Sequence, residues 1–233
     1  MKFKISKKIL EKFPELNIGV LVVQDIDNSG SNKAITKLLR KQESEIRKNF
    51  NTETLSQNPK ISAWRTAYSS FGAKPKKYKC SVENLYRMIL NEIELKPINN
   101  LVDIYNYVSI KYIIPLGGDD TDKIDGTVTL KIAKGDEPFT VLNSEEVKSP
   151  KQGEVIYADD KEVLCRRWNW RECDKSKMTE NTKNATLVIE GLPPFTKADI
   201  SNIMTELAEL VKKFCGGKSK MFILNNSLSE IKE

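Results

Sequence analysis

The sequence predicts an α+β fold, and three observations carry that expectation. After an early β-branched run at 18–23, apolar residues recur at helical spacing as far as residue 110. From Pro115 they gather instead in short runs separated by Gly, Asp, Asn and Lys, and the chain closes on an amphipathic helix pattern followed by one more apolar run. Strands joined by short turns pair antiparallel, so mostly antiparallel sheets flanked by helices are expected. No internal repeat, low-complexity tract or Gly/Ser/Pro linker divides the 233 residues, which predicts one domain over 1–233.

In chain order, Ile18-Gly19-Val20-Leu21-Val22-Val23 reads as a buried strand, short and β-branched. Ser31 or Asn32 caps a helix with Ile35, Leu38, Leu39, Ile46 and Phe50 on one face and Lys37, Arg40, Lys41, Arg47 and Lys48 on the other. Residues 51–62 are polar and turn-rich, and a basic loop broken by Gly72 and Pro75 follows, with Tyr78 beside its lysines. Ser81 begins a helix carrying Leu85, Met88, Ile89 and Ile93, closed by Pro97. Asn99 or Asn100 caps a second, over 101–110. Strands are expected at 127–133, 137–142, 155–158, 163–167 and 185–189. Thr196 and Asp199 form a capping box for a helix running through Phe214, stopped by Gly216-Gly217, and 221–224 is the last strand.

The formal charge is +6, with 38 basic and 32 acidic side chains, but the cations are unevenly placed. Twelve Lys or Arg face three Glu between Lys33 and Cys80, a local basic surface of the kind a polyanion meets. Histidine is absent, which excludes Ser-His-Asp and Cys-His nucleophiles, a His base and His metal ligands. The four cysteines form no CxxC pair, and neither a secretory leader nor a bilayer-length apolar run is visible. These features predict a cytoplasmic protein with reduced thiols, no metal, no cofactor and no membrane role.

Cys165-Arg166-Arg167-Trp168-Asn169-Trp170-Arg171-Glu172 sets three guanidinium groups around two indoles. Guanidinium pairs with phosphate, and indole stacks on bases, so the run reads as a recognition surface; the alternative is a surface strand whose Trp residues cover a core edge. Pro115-Leu116-Gly117-Gly118-Asp119-Asp120-Thr121-Asp122 joins two glycine amides to three carboxylates. It reads as an oxyanion nest with Asp119 or Asp120 as base, as a divalent-cation loop, or as a plain acidic turn. Without EF-hand spacing, calcium is set aside.

Asn100-Leu101-Val102-Asp103-Ile104-Tyr105-Asn106-Tyr107-Val108, then Pro115-Leu116, then Asp122-Lys123-Ile124-Asp125-Gly126, resembles the B3/B4 module of the bacterial-type phenylalanyl-tRNA synthetase beta subunit. That module carries a VDxTNYV helix, a PLHAFD loop and a DKIxG strand entry. The likeness continues through 133–137, 153–159 and 182–190 and covers about residues 62–192. Free-standing B3/B4 proteins share, in addition, Trp64-Arg65, Phe71-Gly72, the helix at Ser81 and the 165–172 run. In the synthetase the module is the editing domain, which hydrolyses tyrosine from the 3′ end of wrongly charged tRNA. At this length, and with no visible ATP-binding signature, the chain is not expected to be an active ligase.

The resemblance therefore implies a protein that binds tRNA and deacylates mischarged aminoacyl-tRNA in trans. Tyr105 stands where the family has Thr, Gly117 where it has His, and Glu190 matches an acidic residue tied to substrate recognition. Tyr105 and Arg167 narrow the pocket toward a smaller or polar esterified residue. Tyr105, Asn106, Asn169 and Glu190 are assigned to the substrate, Glu190 holding its amino group, with the terminal adenine on Trp168 or Trp170. Arg167 or the Gly117 and Gly118 amides face the ester carbonyl, and Asp119 or the neighbouring ribose hydroxyl deprotonates water. Arg65, Lys74, Lys76, Lys77 and Lys79 take the acceptor-stem phosphates. DNA is not expected as a partner. The alternatives are a non-catalytic tRNA- or RNA-binding module and a binding protein for a free amino acid or nucleotide.

Overall fold

The computed structural model describes residues 2–232. The chain opens with β1 (Lys2–Ile5), α1 (Lys7–Lys12), β2 (Asn17–Gln24), α2 (Lys33–Asn49) and α3 (Pro59–Ser70). Next come α4 (Ser81–Leu90), α5 (Asn100–Tyr112), β3 (Leu116–Asp120), β4 (Thr127–Ile132), β5 (Phe139–Thr140) and β6 (Val147–Lys148). It ends with β7 (Val155–Ala158), β8 (Val163–Arg166), β9 (Arg171–Glu172), β10 (Ala185–Gly191), α6 (Lys197–Cys215), β11 (Lys218–Leu224) and β12 (Glu230–Lys232). This is the expected α+β class.

Two sheets organise the molecule. One has the order β12-β1-β4-β7-β8-β9, antiparallel except where β1 and β4 run parallel. The other has the order β11-β2-β10-β3 and is antiparallel throughout. Successive strand residues face opposite sides, so β2 divides its side chains between two cores. Val20 and Val22 join Phe3, Val128, Leu130 and Ile156 from the six-stranded sheet, while Leu21 and Val23 meet α5 and α6. Burial on both faces is why β2 reads as an uninterrupted apolar run.

The caps follow the sequence closely. The Asn32 side chain accepts from Ala34 N–H and that of Asn99 from Val102 N–H, each satisfying an orphan donor of the first turn. Thr196 and Asp199 cap α6 reciprocally, and Gly216 and Gly217 end it with φ near +71°.

Other segments depart from expectation. Residues 59–70, read partly as turn, form α3: Asn58 caps it, Pro59 takes its first position, and Ile61, Trp64 and Tyr68 bury one face. The glycine- and acid-rich segment at 116–120 is a strand, because β10 supplies its hydrogen-bonding partner. Of the expected strand at 137–142 only Phe139 and Thr140 form a strand, with Val141 in an isolated bridge to Cys173. The helix at Ser81 stops at Leu90, short of Ile93. Two of the α2 cations are not free: Arg40 pairs with buried Glu43, and Arg47 with Glu92 and the Ile89 carbonyl, while Lys37 and Lys41 remain exposed. Among the described residues no helix is long and apolar enough to cross a membrane.

Candidate functional site

The two sheets part around a cavity of about 460 Å3. Tyr157 lies opposite Cys165 and Cys165 opposite Glu172, so these three share one face of β7, β8 and β9. On β3, Gly117 and Asp119 share a face by period two and lie opposite Val188 and Thr186, and Glu190 continues the β10 row. Both rows line the cavity, which gathers the carboxylates of Asp119, Glu172 and Glu190 with Trp170 and Arg171 at the hairpin loop. Gly117 makes room for one of them. A Cβ there would lie 2.9 Å from Glu172 Oε1.

Glu190 is the most firmly held. The Tyr157 hydroxyl donates to its Oε1 at 2.7 Å, and Asn169 Nδ2 donates to its Oε2 at 2.6 Å. Tyr68 donates in turn to Asn169 Oδ1 at 2.8 Å, which fixes the amide with its nitrogen toward the acid. Burial pushes Glu190 up to about 7 against the pull of those bonds. Burial, then the charges of Asp119 and Glu190, push Glu172 up to about 8. Burial pushes Asp119 up to about 6, opposed by the Ser176 hydroxyl that donates to it. Three acids in one cavity thus titrate across the neutral range. The Cys165 thiol is raised well above its ordinary range, first by burial and then by these charges, which leaves it unsuited to act as a nucleophile. Among the described residues no group of three or more Cys, Asp or Glu is arranged to hold a metal ion.

The cation and indole run is a tight hairpin loop between β8 and β9, and most of it points inward. Arg167 and Trp168 have φ of +46° and +68°, and the chain reverses through Trp170 N–H to Arg166 O at 3.1 Å. Trp168 is 0% exposed. Its ring sits edge-on against Trp64 and Phe13, at 5.0 and 4.8 Å between centroids. Trp168 lies in the cavity wall, but its ring is enclosed by these neighbours, so the expectation that adenine stacks on it is corrected. Arg166 and Arg167 both pair with buried Glu154, Arg166 through Nε and Nη2 and Arg167 at 3.0 Å. Arg167 lines a neighbouring cavity rather than the acid one, so it does not face an ester carbonyl there. Trp170 stays half-buried on the cavity wall, flanked by Arg167, Arg171 and Tyr78.

Other expected residues divide in the same way. Asp119, Asn169, Trp170 and Glu190 meet in the cavity. Tyr105 is buried in the second core, where burial first and then the charges of Glu172 and Asp119 raise its hydroxyl well above its ordinary value, but neither it nor Asn106 lines the cavity. Gly117 and Gly118 do line it, but neighbouring N–H groups of a strand point to opposite sides, so the two amides cannot converge on one oxyanion. Lys74, Lys76 and Lys77 are exposed, Lys79 is half-buried with its ammonium on the Lys76 carbonyl, and Arg65 is tied to buried Glu83 at 2.7 Å. Arg65 is therefore a structural ion pair and not a free phosphate contact. Sequence reasoning assigned no role to Tyr157, Tyr68, Ser176 or Glu172. The apolar run at 155–158 marks a strand without marking which face Tyr157 takes, and nothing in the sequence sets the register that puts Glu172 opposite Cys165.

The fold and the cavity define a two-sheet α+β protein with an acidic pocket between its sheets. Residues 63–216 match the model of the B3/4 domain, and the chain belongs to that family. It is 40% identical over 70 residues to the phenylalanine–tRNA ligase beta subunit of Fusobacterium nucleatum, covering 30% of this chain and 9% of that subunit. To the same subunit of Francisella tularensis it is 29% identical over 161 residues, covering 65% of this chain and 18% of the relative. The chain thus spans less than a fifth of either relative, 9% and 18%. Among solved structures it is similar to an N-terminal fragment of the phenylalanyl-tRNA synthetase beta subunit from Pyrococcus horikoshii, with TM-score 0.47 and 12% identity over 99% of this chain and 54% of the fragment.

Proposed function

We propose that this protein binds tRNA and hydrolyses the ester of mischarged aminoacyl-tRNA in trans. The observation that carries the reading is a cavity whose three carboxylates divide their protonation around neutral pH, beside an aromatic and cationic rim, in a chain of the B3/4 family. An aminoacyl ester is already activated, so hydrolysis needs a placed water, a base and a donor for the oxyanion rather than a strong nucleophile. A chain without histidine can supply all three from acids.

Asp119, near 6, is ionised at neutral pH and serves as the base toward water. Glu172, near 8, is largely protonated there and donates to the carbonyl oxygen, the role first given to Arg167 or the glycine amides. Glu190, held by Tyr157 and Asn169, accepts the ammonium of the esterified residue, and that cation lowers the cost of ionising it. Trp170 offers its ring to the terminal base, where stacking contributes about 1–3 kcal/mol, and the exposed lysines at 74, 76 and 77 meet phosphates.

The test is release of amino acid from a panel of mischarged tRNAs, run on the native protein, Glu190→Gln and Asp119→Asn. At least one tRNA is deacylated by the native protein, and each substitution slows it by 100-fold or more with the fold retained. Binding of tRNA with no release from any member of the panel would leave a binding module, and would sink the hydrolytic reading.

A further inference from the structure

A second cavity, of about 300 Å3, adjoins the acid one and has the opposite charge. The two share the ring pair of Tyr78 and Trp170, whose centroids lie 5.1 Å apart: Trp170 lines the acid cavity and Tyr78 the second. Lys74, Lys77, Lys151 and Arg167 line the second cavity against one carboxylate, Glu154. That carboxylate is already engaged by Arg166 and Arg167, and among the described residues Lys74, Lys77 and Lys151 have no ion-pair partner. A concave surface with this surplus of cations focuses a positive potential.

Arg167 is built into the site and not merely draped over it. Its residue is 5% exposed, and its guanidinium carbon lies 3.8 Å from the Tyr78 ring centroid and 4.5 Å from that of Trp170. Its backbone takes φ +46°, a conformation disfavoured for a side chain of this size, locked by the bond from Trp168 N–H to Val155 O at 2.6 Å. Glu154 meets it at one nitrogen, and a guanidinium has five donors in a planar fork suited to phosphate oxygens.

We propose that this second cavity is a phosphate subsite for the same ligand whose amino group enters the acid cavity. The proposal rests on the aminoacyl-ester reading and deepens it: a cation at one end, a flat ring against Trp170 and a phosphate at the other end describe a single aminoacylated nucleotide at the end of an RNA. The 5′-phosphate of that nucleotide meets Arg167, Lys77 and Lys151. Recognition is then concentrated on the last nucleotide, with Lys74 and Lys76 of the same loop left for the phosphates beyond it.

Adenosine, adenosine 5′-monophosphate and inorganic phosphate, titrated calorimetrically into the native protein and into the Lys77→Ala/Lys151→Ala double variant, test this. Both lysines are exposed and neither is in an ion pair, and the one ring contact of Lys77 is with half-buried Tyr78, so the variant retains the fold. The monophosphate binds the native protein at least tenfold more tightly than adenosine, and inorganic phosphate competes with the monophosphate alone. In the double variant, where Arg167 remains, the preference for the monophosphate falls at least threefold, with the affinity for adenosine unchanged. Equal affinities in the native protein, a preference undiminished in the double variant, or binding of neither ligand would each overturn the subsite. A preserved preference for the monophosphate without deacylation of any tRNA would remove the ester reading and leave the subsite standing.

Discussion

Glu172 shows how one residue can serve a site at the expense of the fold. Its carboxyl ordinarily titrates at 4.5 and is pushed up to about 8 in the folded chain, by burial first and by Asp119 and Glu190 next. The folded state therefore binds more protons than the unfolded state between those values, and stability falls as pH rises through them. Below 4.5 both states are protonated and the group costs nothing; above 8 its whole cost is present. Glu172→Gln should leave the melting temperature unchanged at pH 4.5 and raise it at pH 8.5. The residue is half-buried, so solvent screens part of the charge, and a gain of roughly 1–3 kcal/mol is expected. For a chain of this size that is a rise of about 3–8 °C. Equal melting temperatures of variant and native protein at pH 8.5 would mean that Glu172 is not under this repulsion. The same residue marks how far the sequence could be read. Arg166 and Arg167 looked exposed because their partner, Glu154, lies more than ten positions away, whereas Glu190 was legible only through the family resemblance.

At the scale of elements, the β8–β9 hairpin joins core to site. Trp168 closes a cluster with Trp64 of α3 and Phe13, and the next residue, Asn169, reaches Glu190. Removing the indole leaves a large void beneath a loop that already holds two residues at positive φ. Trp168→Ala should destabilise the protein by about 3–5 kcal/mol in denaturant melts. At a temperature where it remains folded, the proposed deacylation should slow as well, because Asn169 is no longer aimed at the acid. A variant as stable as the native chain would show that the loop holds itself without the ring. Elements with a strong local signal were readable, such as the capped helices α2, α5 and α6 and the doubly buried β2. The strand β3 was not. Gly and Asp are poor strand formers, and only pairing with β10 makes 116–120 extended. The edge strand β12 pairs with β1 across more than 200 positions, which no local pattern reports.

The whole molecule separates its charges. The acids of the cavity lie inside, between the sheets, while Arg171 and the lysines at 74, 76, 77 and 151 remain exposed around the hairpin and the 71–80 loop. The net charge of +6 hides this division, and so does the run of twelve cations before Cys80, since Arg40 and Arg65 in that run are spent on buried carboxylates and Arg47 on the exposed Glu92. Only the unpaired cations can release counterions from an RNA. Each phosphate contact contributes about 0.7–0.9 to the slope of log affinity against log salt. The triple variant Lys74→Ala/Lys76→Ala/Lys77→Ala should therefore bind tRNA more weakly and with a slope shallower by roughly 2–3. Arg40→Ala should instead lower stability, because it strands Glu43 in the core, and should leave the slope unchanged. Filter binding of one tRNA across a salt series, with melting curves beside it, separates the two outcomes. An unchanged slope in the triple lysine variant, or a shallower one in Arg40→Ala, would move the RNA-binding face from the 74–79 loop to α2.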